Sequence, residues 1–189
     1  MSKLTILIDM DDTIENLTEV WTQKLNNAHN LSVSINDIKE WDMTKAFPTL
    51  SSEEVFRPLR DSNLWDEVKP KKGAVEYIDK MIHDGHDIFI VTASHPDTVS
   101  PKINKVIFKY FPFIDYENII VSYKKQMIIG DVLIDDAPHN LEGGYYAKIL
   151  FSAPHNLKYD ADKNSMIRVN SWEEVYDWIN IISEYKNKR

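Results

Sequence analysis

Five short apolar runs, each ending abruptly in polar residues, constrain this chain more than any other feature of its sequence. Leu4 to Ile8 stops at Asp9, Asp87-Ile88-Phe89-Ile90-Val91 leads into Thr92, and Asn118-Ile119-Ile120-Val121 leads into Ser122. Val132-Leu133-Ile134 leads into Asp135-Asp136, and Lys148-Ile149-Leu150-Phe151 into Ser152. The first run is continuously apolar and β-branched instead of alternating, the pattern of a strand buried on both faces of a parallel sheet. Helical patterns lie between the runs: Ala74, Ile78, Met81 and Ile82 precede a stop at Gly85, and Ile103 to Tyr110 precede Pro112. Strands alternating with helices imply βαβ crossovers and an open, Rossmann-like α/β parallel sheet. Such sheets bind ligands at the carboxyl ends of their strands, which is where Asp9, Thr92, Asp135 and Asp136 fall.

The segment from about Ile14 to Pro70 breaks the alternation. It holds a helix-like stretch around Glu15 to Asn27, a Trp-bearing stretch from Asp37 to Ala46, and Ser51-Ser52-Glu53-Glu54, which reads as the N-cap of another helix. At 189 residues the chain is long for one ordinary domain and short for two. The expectation is a catalytic core of residues 1–14 and 71–189, with a small helical cap of residues 15–70 inserted after the first strand. The tail begins a further helix at Ser171-Trp172-Glu173-Glu174, whose Val175, Trp178, Ile179 and Ile182 have core-facing spacing.

A net charge of −8 argues against a protein that coats a nucleic acid polymer, because phosphate-backbone binding needs a basic face. No stretch approaches the ~20 apolar residues of a membrane span. The apolar run among the first ten residues is too short for a secretion signal. With no cysteine there are neither disulfides nor thiolate metal ligands. The expectation is a cytoplasmic protein without membrane or nucleic acid polymer as partner.

Asp9-Met10-Asp11-Asp12-Thr13 follows directly on a buried strand. Three carboxylates so close together repel one another beside an apolar strand unless a cation neutralises them. Hard carboxylate oxygens suit Mg²⁺. Asp135-Asp136 ends another apolar strand, so the two acidic clusters can share a metal at one sheet edge. Thr92, in Val91-Thr92-Ala93-Ser94, offers a hydroxyl and nearby amides to phosphate oxygens, and Lys124 and Lys125 supply a cation to balance phosphate and Asp9 together.

In the order Asp-x-Asp-x-Thr, Thr, Lys, Asp-Asp, these motifs resemble those of the haloacid dehalogenase (HAD) phosphatase superfamily. The resemblance spans Asp9 to Asp136 and implies a nucleophile, Asp9, that forms an aspartyl phosphate. It makes Asp11 the general acid and base. It also implies Mg²⁺ held by Asp9, the backbone carbonyl of Asp11 and Asp136, with Asp135 supporting, and it selects Lys125 over Lys124. The retained Asp11 points to phosphoryl transfer, since a dehalogenase is expected to lack it.

Within the superfamily the chain looks most like the 5'(3')-deoxyribonucleotidases in their bacterial or phage form. That likeness rests on the nucleophile loop, the cap placed after it, Lys-Pro-Lys-Lys-Gly-Ala-Val-Glu at the return into the core, and Gly-Asp-Val-Leu-Ile-Asp-Asp. It implies a deoxynucleoside monophosphate as substrate, with Trp41 stacking on the base and Leu17 where the family carries an aromatic residue. Thr92, Ala93, Ser94 and Lys125 would face the phosphate, although Ala93 stands where the family often has a small polar residue. Two other readings compete: a HAD phosphatase acting on a sugar phosphate or another metabolite, and a receiver-like phosphoacceptor protein. The second conflicts with motif order, since receivers place the acidic pair first. The resemblance leaves a homodimer open.

Overall fold

The computed structural model describes residues 2–188 and contains one parallel sheet flanked by helices. Its strands are β1 (Thr5–Ile8), β2 (Asp87–Thr92), β3 (Ile119–Val121), β4 (Val132–Asp135), β5 (Ala147–Phe151) and β6 (Ile167–Val169), in the spatial order β3-β2-β1-β4-β5-β6. The five apolar runs all form strands. β6 is an addition that the sequence pattern did not announce, because Ile167-Arg168-Val169 is neither long nor continuously apolar.

Among the described residues the α-helices are α1 (Leu17–His29), α2 (Ser52–Phe56), α3 (Leu64–Glu67), α4 (Ala74–His83), α5 (Pro96–Lys102), α6 (Phe108–Tyr110), α7 (Pro138–Leu141) and α8 (Trp172–Asn187). A π-helical turn, Ile103–Ile107, joins α5 to α6. Ser51 caps α2 through a reciprocal box with Glu54, and the Ser171 side chain accepts from the Glu174 amide at the start of α8. Val175 and Ile179 of α8 are buried and Ile182 is partly buried, as its spacing predicts, but Trp178 is 37% exposed. At about 100° per residue, Trp178 is turned off the stripe that Trp172, Val175, Ile179 and the buried Ser183 occupy.

The main core lies against one face of the sheet. Ile6, Ile8, Val132 and Ile134 pack with Ala74, Ile78, Met81, Val175 and Ile179. A second cluster on the other side of the sheet collects Leu7, Val91, Leu133 and Leu150. Between Glu15 and Pro70, which pair as an isolated antiparallel bridge, the chain builds a cluster of its own from Trp21, Leu25, Ile38, Met43, Phe47 and Val55. Residues 35–50 of this segment form 3-10 turns and loops.

The strand order reverses beside β1. The chain moves from β1 outward to β2 and β3, then crosses back to place β4 on the other side of β1. Such a reversal opens a crevice at the strands' carboxyl ends. Because Ile8 is in register with Ile134, the crevice brings the residues after β1 against those ending β4.

Candidate active site

Asp9 leaves the sheet with its amide still bonded to the Ile134 carbonyl at 2.9 Å, which fixes its position beside Asp135. Suitable oxygens of Asp9, Asp135 and Asp136 lie within 4.8 Å of one another, and all three residues are buried. The only cation among the described residues that pairs with Asp9 or Asp135 is Lys125, itself 1% exposed. Its ammonium donates to the Asp9 carboxylate and, at 2.6 Å, to Asp135 Oδ2. Lys124 is exposed.

Three buried carboxylates against one ammonium leave excess negative charge. Burial pushes the Asp9 carboxyl up to about 7, with Lys125 opposing and Asp135 and Asp11 adding to the rise. Burial and the charges of Asp135 and Asp9 raise Asp136 well above the carboxylate range. For Lys125, burial works to lower the pKa, but Asp135 and Asp9 outweigh it and hold the ammonium above its ordinary range. Such a donor set fits a hard divalent cation. Asp135 has few oxygens to spare for it, since it accepts from Lys125, the Ala137 amide at 2.8 Å and Asn140 at 3.1 Å. Asp136 is less encumbered, its carboxylate meeting only His155 Nε2 at 3.3 Å.

The turn after β1 places Asp12 at φ 55°, a left-handed conformation that Asp tolerates through local hydrogen bonding. Its carboxylate accepts from the Thr18 amide at 3.1 Å and from the Thr18 hydroxyl, tying the loop after β1 to α1. Thr13 anchors the same turn, its carbonyl accepting from the Trp172 indole at 3.2 Å.

A second buried lysine serves Asp11. Lys102, 1% exposed, donates to Asp11 Oδ2 at 2.5 Å, Thr92 Oγ1 at 2.6 Å and Ser94 Oγ at 2.9 Å. Pro101 and the π-helical turn flank it, an irregularity often found where a helix must aim a functional side chain. Sequence reasoning missed Lys102, although a charged residue four positions before the apolar Val106 signals a cation on a buried helical face. Glu15 was also missed. It is wholly buried with both oxygens unbonded, and Asp11 Oδ1 is likewise a buried oxygen without a partner. Burial, followed by the charges of Asp11 and Asp12, raises the Glu15 carboxyl well above its usual range.

Above these groups lies a cavity of about 490 Å³, lined on the sheet side by Asp9, Asp11, Asp136, Ala93 and Ser94 and on the other by Leu17, Trp41, Phe56, Arg60 and Trp65. Thr92 and Lys125 stand behind this lining, both fully buried. Neither Leu17 nor Trp41 belongs to the 15–70 segment's own cluster: Leu17 joins the main core, and Trp41 is 64% exposed. The Trp41 ring meets His139 edge-on, with centroids 5.0 Å apart. No described helix is long and apolar enough to cross a membrane.

Residues 3–185 match the family described as 5' nucleotidase, deoxy (pyrimidine), cytosolic type C protein. A 5'(3')-deoxyribonucleotidase of Bacillus subtilis is 34% identical over 175 residues, covering 92% of this chain and 96% of its relative. A 5'(3')-deoxyribonucleotidase of Clostridium acetobutylicum is 31% identical, covering 93% and 94%. Among solved structures, a putative phosphoglycolate phosphatase from Lactobacillus delbrueckii superposes with a TM-score of 0.68 at 14% identity, covering 95% of this chain and 99% of that one. A HAD family hydrolase from Deinococcus radiodurans, solved with bound phosphate and sodium, gives 0.63 at 14% identity over 94% and 95%. These structural likenesses bear on the HAD fold alone.

Proposed function

The chain belongs to the cytosolic type C 5'-nucleotidase family and is a phosphoric monoester hydrolase, and on that premise we propose that it hydrolyses 5'(3')-deoxyribonucleotides in the cytoplasm through an aspartyl phosphate on Asp9. The observation that carries this reading is the meeting of Asp9, Lys125, Asp135 and Asp136 at the sheet's switch point, beneath a cavity walled by aromatic side chains. In this reading residues 15–70 act as the cap that recognises the nucleoside.

An Asp9 carboxylate oxygen attacks phosphorus while the bond from phosphorus to the ester oxygen breaks, and Asp11 gives its proton to the departing nucleoside oxygen. Water then attacks the phosphorus of the aspartyl phosphate, Asp11 takes the water's proton, and inorganic phosphate leaves with Asp9 restored. Lys125 holds Asp9 in place and balances the phosphoryl charge, while Lys102 orients Asp11. In this reading the Ala93 amide and the Ser94 hydroxyl meet phosphoryl oxygens, and the Thr92 hydroxyl, buried behind them, holds Lys102. Asp9, Asp136 and the Asp11 carbonyl, with Asp135 in support, would hold Mg²⁺, which when bound would supply positive charge to offset the repulsion between the carboxylate and the phosphate. Trp41 and Trp65 offer the flat apolar surfaces a base needs, with Leu17 adding an aliphatic contact.

The test is phosphate release from deoxyribonucleotides, ribonucleotides and sugar phosphates, measured with Mg²⁺ and with chelator, beside an Asp9→Asn control. Selective release from deoxyribonucleotides, lost with chelator and in the variant, is the expected result. Preference for sugar phosphates would overturn the substrate, and full activity of Asp9→Asn would overturn the mechanism.

A further inference from the structure

Asp136 stands just beyond the end of β4, so no strand ladder holds it. Its carbonyl is held instead by side chains of the loop that follows β5: Asn156 Nδ2 donates to it at 2.7 Å, and His155 Nε2 lies 3.2 Å away. Asn156 is 1% exposed, and its whole amide is engaged. Nδ2 also donates to the Phe151 carbonyl at 2.8 Å, and Oδ1 accepts from the Ala153 amide at 3.2 Å and from Arg168 Nη1 at 2.9 Å. All four hydrogen-bonding valences of a buried amide are thereby filled.

Arg168 carries this arrangement into the sheet. From β6, its Nη2 donates to the carbonyls of Asn156 at 3.1 Å and Tyr159 at 2.7 Å, and among the described residues it forms no salt bridge with a carboxylate. Its charge is spent entirely on shaping the 152–159 loop. A guanidinium in the sheet thus fixes an amide, and the amide fixes the backbone of a carboxylate that faces the cavity.

We propose that Asn156, anchored by Arg168, is a positioning residue that sets the protein's affinity for its divalent cation by holding Asp136, without touching substrate. This rests on the reading of Asp136 as a metal ligand. Outer partners that orient a ligand typically govern metal affinity by about 10- to 100-fold. A loop that serves only to complete the fold would affect stability alone.

Mg²⁺ binding to the full chain, measured by titration calorimetry in Asn156→Ser, Arg168→Lys and Asp136→Asn, separates these roles. Alongside it, phosphate release is followed against Mg²⁺ concentration and urea unfolding is followed in chelator. The expected result is Mg²⁺ affinity weakened about 10- to 100-fold in the first two variants, with kcat recovering at saturating Mg²⁺, and binding abolished in Asp136→Asn. Arg168→Lys keeps a cation in β6 and tests the linkage even if Asn156→Ser does not fold. Mg²⁺ affinity within about twofold of wild type in both variants, whatever happens to their urea midpoints, overturns the proposal. If Asp136→Asn also binds Mg²⁺ normally, the metal reading itself fails and takes this inference with it.

Discussion

The two buried lysines divide the site into halves that solve the same problem differently. Lys125 sits between two fully or nearly buried carboxylates, Asp9 and Asp135, and spends its charge on both. Lys102 has one carboxylate, Asp11, which is 31% exposed, and completes its shell with the hydroxyls of Thr92 and Ser94. Its ammonium also lies 5.8 Å from the centre of the Trp65 ring, which lines the cavity. The Lys125 half is therefore an ionic lock on Asp9, the nucleophile of the proposed mechanism, whereas the Lys102 half holds Asp11, its proposed acid and base, by softer contacts beside the cavity. A nucleophile must stay in one place, while a proton carrier must meet both the leaving group and water.

Removing Lys125 should have the largest effect. Lys125→Met leaves Asp9 and Asp135 buried without their cation, and breaking such a pair typically costs about 3–5 kcal/mol. Urea unfolding in chelator should show that loss, with millimolar Mg²⁺ restoring part of it, and turnover should be abolished. Lys102→Met should cost less stability, about 1–3 kcal/mol, because Asp11 retains access to water. Its kcat should still fall by about 10²-fold or more as Asp11 loses its orientation. If Lys102→Met proved the more destabilising variant, the contrast between the halves would be inverted.

Proton and metal should compete on the Lys125 half. Attack requires ionised Asp9, whose carboxyl burial raises to about 7. At limiting Mg²⁺ the acid limb of the rate profile should therefore fall near that pH, and it should move to lower pH as Mg²⁺ rises, because cation and proton contend for one carboxylate. Since the folded pKa lies above the ordinary 3.8, folding stability from this group is full below that value and lost as pH climbs through about 7. Chelated protein should lose stability over that window, and Mg²⁺ should return it. An acid limb indifferent to Mg²⁺ would separate Asp9 from the metal.

The smallest change in turnover is expected from Glu15 on the Lys102 half. Its carboxyl is raised well above 4.5, so the stability it confers is complete at or below that pH and fades as pH rises through the folded value. Glu15→Gln should match wild type in acid, unfold at higher urea than wild type at alkaline pH, and leave turnover nearly unchanged at neutrality. A large loss of turnover would show that Glu15 takes part in the proton traffic of Asp11.

How legible each half was follows from where its residues stand. Asp9, Thr92 and Asp135-Asp136 close apolar runs, and Lys125 lies in the loop after one, so each could be read by its distance from a strand end. Lys102 lies inside a helix interrupted by Pro101, with no strand to mark it, and Glu15 looked like an ordinary helix-opening acid before α1. Asn156 and His155 follow β5, but nothing local says that their partner is Asp136. Trp178 shows the reverse failure, with apolar identity and plausible spacing but a surface position.

What the sequence by itself determined is five of the six strands and the placing of Asp9, Asp135 and Asp136 at their carboxyl ends, because burial on both faces and an abrupt polar stop are written in neighbouring residues. The tertiary structure alone decided which charges would be buried, which lysine would meet which aspartate, and what would hold Asp136. Those outcomes depend on how closely distant elements approach: a buried charge is tolerable where a partner from elsewhere in the chain arrives within hydrogen-bonding distance, whereas Glu15, which has none, is pushed toward its neutral form.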